Sequence, residues 1–205
     1  MAHLVITIGC EYGAKGNQIG RRVAEDLGIK FYDRETVDEI IKEVGIPKDI
    51  MEKVEQGVTI AGKGAEGDTR GAFPKDADLT ERAIHVQKTI IRKLADRESC
   101  VIIGRCADVI LKDYHPLNLF IYADMEAKVE RCIRRAPEGE HLTRNEIERM
   151  IKQVDKNRAQ YRQMYSDTKW GAKESYHLCV NTTERYMKEI VPGLAAYVRC
   201  WFSEE

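Results

Sequence analysis

The sequence predicts an α/β protein: a five-stranded parallel sheet with helices on both faces, in a single domain of 205 residues. Three observations lead there. Short apolar runs rich in β-branched residues recur five times along the chain. Between them lie stretches whose apolar residues repeat every three or four positions. The first apolar run gives way at once to a glycine-rich turn. Strands alternating with helices pair in parallel through right-handed crossovers, and that places helices on both faces. The composition agrees: 43% hydrophobic and 33% charged residues suit a packed core and argue against disorder of the whole chain.

Each element follows from its local pattern. Residues 4–8, with Leu4, Val5, Ile6 and Ile8, form a buried strand. Residues 17–27 repeat Ile19, Val23, Ala24 and Leu27 at helical spacing, and Gly28 ends that helix. Residues 29–32 form a second strand ending at Asp33. Residues 34–44 are helical, with Val37, Ile40, Ile41 and Val44 on one face, and a further helix is expected over 48–56 after Pro47. Residues 57–80 hold five glycines and Pro74 with little periodicity, so they read as a long loop, of the length that usually serves function. A helix resumes over 79–97. Strands follow at 100–103, 117–122 and 176–180, helices at 107–111, 125–135, 143–165 and 184–201, and a loop at 136–141.

In such sheets ligands bind beyond the carboxyl ends of the strands. The turn after the first strand contains Gly9, Gly13, Ala14, Lys15, Gly16 and Asn17. It approximates the phosphate-binding pattern of two glycines with four residues between them, followed by Lys and then Ser or Thr. Gly9 and Lys15 fit. Ala14 takes the place of the second glycine, and Gly16 with Asn17 stands where a hydroxyl would hold Mg²⁺. The chemistry needs free amides at a helix N-terminus and an ammonium for the β and γ phosphates. The turn therefore predicts a P-loop NTPase-type three-layer fold, with a plain strand-to-helix turn as the competing reading.

A second feature is the basic stretch 128–162, which holds ten Lys or Arg against six Asp or Glu in a chain of net charge -1. A local positive field in a neutral protein points to an anionic ligand; a nucleic-acid footprint is usually strongly basic overall. Arg131 precedes the 136–141 loop, and Arg158 and Arg162 lie one turn apart after it. Two basic helices flanking a loop suit a helical lid that neutralises a phosphoryl group in transfer. A solvated face with i,i+4 ion pairs explains Arg144, Arg149 and Lys152 equally well. Tyr161, Tyr165 and Trp170 are candidates for stacking or for packing. The five histidines show no metal-ligand spacing, and the six cysteines contain no CxxC pair. No apolar run reaches the roughly 18 residues a bilayer crossing needs, and no leader is read, so a cytoplasmic protein with free thiols is expected.

With these motifs in hand, the chain resembles the cytidylate kinase-like family of P-loop nucleoside monophosphate kinases, nearly end to end. The carriers are the turn from Ile8 to Gly16, the Gly28-to-Asp33 segment, Gly104 with Arg105, the Asp155-Lys156-Asn157-Arg158 run, and Tyr176 to Thr182. The resemblance implies ATP and Mg²⁺ as cofactors and a small-molecule nucleotide acceptor such as CMP. It implies that the turn residues cradle the donor phosphates, and that Lys15, Arg131, Arg158 and Arg162 act on the transferring group. Asp33, Arg105 and Asp155 would then bind acceptor, with Asn17 and Asp33 toward the metal. Residues 34–80 would form an acceptor-binding insert and 131–165 a lid. The 57–80 segment departs from the family's base-reading insert. Two alternatives stand beside this: a kinase for a non-nucleotide hydroxyl acceptor with Asp33 as base, and a non-catalytic nucleotide-binding regulator. The apolar final helix, with Leu194, Val198, Trp201 and Phe202, leaves monomer and homodimer both open.

Overall fold

The computed structural model describes residues 3–46, 51, 75–137 and 142–203, with side chains in the second long stretch from residue 81 onward. The elements are β1 (Val5–Cys10), α1 (Gly16–Leu27), β2 (Lys30–Tyr32), α2 (Arg34–Glu43), α3 (Lys75–Arg97), β3 (Cys100–Ile103), α4 (Ala107–Ile110), β4 (Leu117–Tyr122), α5 (Met125–Ile133), α6 (Arg144–Gln163), β5 (Leu178–Asn181) and α7 (Met187–Trp201). The five strands form one parallel sheet in the order β2-β3-β1-β4-β5. β1 is central, so the turn that follows it opens between the ends of β3 and β4.

Alternation along the strands sorts the core into two layers. Ile6 and Ile8 of β1, Val101 and Ile103 of β3, and Leu117, Leu119 and Ile121 of β4 pack with Ile19 and Val23 of α1 and with Leu194 and Val198 of α7. Val5, Cys100 and Ile102 face the other way, toward Val37 and Ile41 of α2, Ile91 and Leu94 of α3, and Tyr161 of α6. Leu194 and Val198, two of the apolar residues that left a homodimer open, are thus buried within the chain. Trp201 stays 42% exposed, stacked against His177. A third small cluster, Val129 with Ile147 and Ile151, joins α5 to α6.

Several boundaries differ from expectation. α3 begins at Lys75 rather than 79. α7 begins at Met187 rather than 184, since Glu184 takes a left-handed backbone (φ 54) in the turn closed by the Arg185 amide on the Thr182 carbonyl. β1 runs on to Cys10, which pairs with Ile121. β5 starts at Leu178, after a short 3₁₀ turn over Lys173–Ser175. Of the expected helix at 48–56 only Met51, helical and buried, is described, and the 57–74 part of the loop and most of the 136–141 loop lie outside the described residues.

Candidate active site

The turn from β1 to α1 is built to leave amides free. The Glu11 amide is used by the Ile121 carbonyl, that of Tyr12 by Asp155 Oδ1 at 2.8 Å, and that of Ala14 by the Glu11 carbonyl. The amides of Gly13, Lys15, Gly16, Asn17 and Gln18 have no hydrogen-bond partner among the described residues. They sit at the N-terminus of a 12-residue helix, where the dipole favours negative charge. This donor set suits a phosphate chain.

The two irregular positions of the motif have steric explanations. Ala14 keeps an ordinary backbone and is buried, while the left-handed conformation falls on Gly13 (φ 78) and Lys15 (φ 67). Gly16 has no room for a side chain: a Cβ there would stand 2.4 Å from Cys10 Cβ. Burial first, then the charges of Arg131, Arg134 and Arg135, hold the Lys15 ammonium below its usual 10.5. The structure thus gathers Lys15 with Arg131, Arg134 and Arg135 around one face of the turn, beside a cavity of about 630 Å³ whose lining includes Tyr12, Gly13, Arg131 and Arg135.

A second cleft of about 380 Å³ opens on the other side of the turn. It collects Arg105, Arg158 and Arg162, three arginines singled out from sequence, together with Arg34, which was not. Arg105 is delivered by three successive left-handed residues, Gly104 (φ 68), Arg105 (φ 57) and Cys106 (φ 51). Backbone strain of this kind concentrates at functional sites. Arg105 pairs with Asp38, Arg34 approaches the same carboxylate at 3.6 Å, and Arg162 pairs with Asp108. Arg158 donates to the Cys10 carbonyl at 2.6 Å.

Other predicted residues serve the framework. Arg131 is buried and donates to the Thr182 carbonyl, to Thr182 Oγ1 at 3.0 Å and to the Gly13 carbonyl at 3.3 Å. Asp155 accepts from the Tyr12 amide and from Lys128 Nζ at 3.3 Å, and burial raises its carboxyl despite these partners. Lys128, 4% exposed, also donates to Glu11 at 2.9 Å. Asp33 caps α2: Oδ1 accepts from the Thr36 amide and hydroxyl, and Oδ2 from Arg21 at 3.0 Å. Burial would raise its pKa, but these bonds, with one from Asn17, outweigh it and hold it below the usual value. Asp33 and Asn17 therefore touch, yet neither lines the arginine cleft. No group of three or more metal-ligating His, Cys, Asp or Glu occurs among the described residues.

Sequence reasoning missed Asp38, Asp108 and the placement of Tyr176. The two aspartates look like ordinary helix charges, and only packing sets them against arginines distant in the chain.

Residues 5–184 match the model of the cytidylate kinase-like family. The chain belongs to that family. Among solved structures it is similar to an uncharacterized protein from Eubacterium ventriosum, at 28% identity over 97% of this chain and 99% of the other, with a TM-score of 0.71. It also shares its fold with a shikimate kinase from Acinetobacter baumannii (15% identity, 98% and 96% covered, TM-score 0.54) and a gluconokinase from Sinorhizobium meliloti (15%, 97% and 93%, 0.52). Curated proteins offer no match. This cytidylate kinase-like chain thus carries a P-loop kinase fold of the kind found in small-molecule kinases. None of the helices among its described residues is long and apolar enough to cross a membrane.

Proposed function

We propose that this protein transfers the γ-phosphoryl group of ATP to the phosphate of a small acceptor, a nucleoside monophosphate with CMP as the first candidate. The observation that carries the reading is the arginine cleft beside the free-amide turn. Arg34, Arg105, Arg158 and Arg162 converge there, and among the described residues they meet the carboxylates Asp38, Asp108 and Asp155. Four guanidiniums gathered in one cleft suit a dianionic phosphate monoester. A phosphate oxygen attacks without a general base. A hydroxyl acceptor needs one, and Asp33, the carboxylate first considered for that role, has both oxygens occupied outside the cleft. This favours the phosphate acceptor over the hydroxyl acceptor.

In this reading the amides of Gly13 and of residues 15–18 hold the donor phosphates, and Gly9 and Ala14 shape the turn around them. Lys15 neutralises the β and γ oxygens. Arg105 binds the acceptor phosphate, and Arg158 and Arg162 stabilise charge on the group in flight. Asp155 and Arg131 hold the turn's backbone in place. Mg²⁺ when bound would neutralise charge on the phosphates; of the two residues read toward it, Asn17 would offer its amide oxygen, while both oxygens of Asp33 are engaged by Thr36 and Arg21. Region 131–165 acts as the lid and 34–80 as the acceptor-binding insert. The six cysteines are free thiols, which favours a reducing compartment, the cytoplasm.

The test is coupled ADP release with Mg·ATP against CMP, dCMP, UMP, AMP, GMP and TMP, with shikimate and gluconate as hydroxyl acceptors. Turnover of a monophosphate, lost in Arg105→Gln and Lys15→Ala, is expected. Turnover confined to hydroxyl acceptors would overturn the acceptor assignment. ATP binding without any turnover would favour the regulatory reading.

A further inference from the structure

The arginine cleft contains a polar group that the fold leaves unused. Tyr176 comes just before β5 and lies across Gly9, the first glycine of the turn. A Cβ on Gly9 would stand 3.3 Å from both the Tyr176 ring edge and its hydroxyl, and 3.0 Å from Phe120. Glycine at this position therefore makes the space the phenol occupies. The ring packs on Phe120 with centroids 4.8 Å apart, and Phe120 meets Trp170 edge-on at 5.2 Å. The Arg162 guanidinium lies 5.4 Å from the ring centre. Tyr176 is only 9% exposed and lines the cleft, as Trp170 does.

Within this packing the Tyr176 hydroxyl is enclosed and has no hydrogen-bond partner among the described residues, although the Gly171 amide lies near enough to oppose the rise in pKa that burial causes. Buried polar groups are nearly always paired, so one left over at a ligand cleft calls for a cause. Neighbouring charges do not supply it, because Asp108 and Arg162 are committed to each other. Burial also keeps the phenol protonated well above neutral pH, so the group is a standing donor.

We propose that the Tyr176 hydroxyl is a specificity-determining hydrogen-bond donor to an oxygen of the acceptor substrate. The proposal rests on the acceptor reading of the cleft given above. A site holding an unmatched donor favours ligands that supply an acceptor atom there and discriminates against analogues that lack it.

The experiment compares wild type, Tyr176→Phe, Arg105→Gln and the remote control Tyr186→Phe, whose ring is exposed beside α7. Three measurements are made on each: melting of the ligand-free protein, calorimetric titration with CMP, ribose 5-phosphate and inorganic phosphate, and steady-state kinetics with CMP. Tyr176→Phe should melt at or above the wild-type temperature, since the change deletes an unpaired buried group. It should raise the Kd and KM for CMP about three- to tenfold, with kcat kept. Weakening of CMP and ribose 5-phosphate with phosphate binding unchanged would place the partner oxygen on the sugar or base. Equal weakening of inorganic phosphate would place it on the phosphoryl group. If Tyr176→Phe melts lower and binds CMP as wild type does, while Arg105→Gln still loses binding, the hydroxyl is structural and this proposal falls alone. If wild type binds none of the three probes, or Arg105→Gln binds them normally, the acceptor reading fails and takes this one with it.

Discussion

Restoring the hydroxyl that the phosphate-binding pattern expects, by Gly16→Ser, should damage this protein. The backbone at Gly16 is ordinary helix, so no conformational strain enters and the effect is steric alone. A Cβ at this position would lie 2.4 Å from Cys10 Cβ, 2.7 Å from Cys10 Sγ and 3.7 Å from Ile121 Cβ. Carbon atoms pack at about 3.5–4.0 Å, so the junction of β1 and α1 must open by about an ångström or more. Cys10 cannot swing aside, because its backbone is paired with Ile121 in the sheet. Overpacking of this kind costs about 1–3 kcal/mol, and for a chain of this size each kcal/mol lowers Tm by about 2–4 °C. Gly16→Ser should therefore melt roughly 2–12 °C below wild type and lose ATP turnover. Urea and thermal unfolding of Gly16→Ser, Cys10→Gly and the double variant form a cycle, with Cys10→Ala as a partner that keeps the offending Cβ. A coupling of about 1–2 kcal/mol is expected with Cys10→Gly and a smaller one with Cys10→Ala, which removes the Sγ contact but keeps the Cβ. The steric argument is refuted if Gly16→Ser unfolds within about 0.5 kcal/mol of wild type, or if Cys10→Ala rescues it as well as Cys10→Gly does.

Two further outcomes follow from the contacts around the turn. Thr182→Val keeps the side-chain shape but deletes a buried hydroxyl that donates to the Ala14 carbonyl at 3.1 Å and accepts from Arg131. It should cost about 1–3 kcal/mol in urea unfolding, and an unchanged midpoint would show that this hydroxyl does not brace the turn. The Lys15 ammonium is held below 10.5 by burial and by Arg131, Arg134 and Arg135, so it loses its proton at lower pH than a free lysine. Neutralising Arg134 and Arg135 to Gln should raise its pKa and move the alkaline fall of kcat/KM to higher pH. A limb that stays in place or moves down would remove Lys15 as its source.

What was legible in the sequence was local or fixed by spacing along the chain. β1, β3 and β4 announced themselves because burial on both faces demands continuous apolar runs, and the partly exposed edge strands β2 and β5 through short ones. α1 did so because Ile19, Val23 and Leu27 must share one side. Lys15 and Arg105 were found because each follows a strand directly. Asp33 was seen as a site carboxylate, although its position just before Arg34, with Thr36 three residues on, is also the signature of a helix cap. The Gly16 departure looked like a loss of function, and only the Cys10 contact shows that it is a packing requirement.

The sequence by itself thus determined the family, the order of strands and helices, and the place of the phosphate turn, because each is written in residues close together in the chain. Only the tertiary structure decided how the charges are spent. Asp38 reaches Arg105 across 67 positions and Asp108 reaches Arg162 across 54. The same packing lays Tyr176 over Gly9. These meetings depend on where parallel crossovers return the chain to the sheet, and no periodicity records a contact between residues that distant.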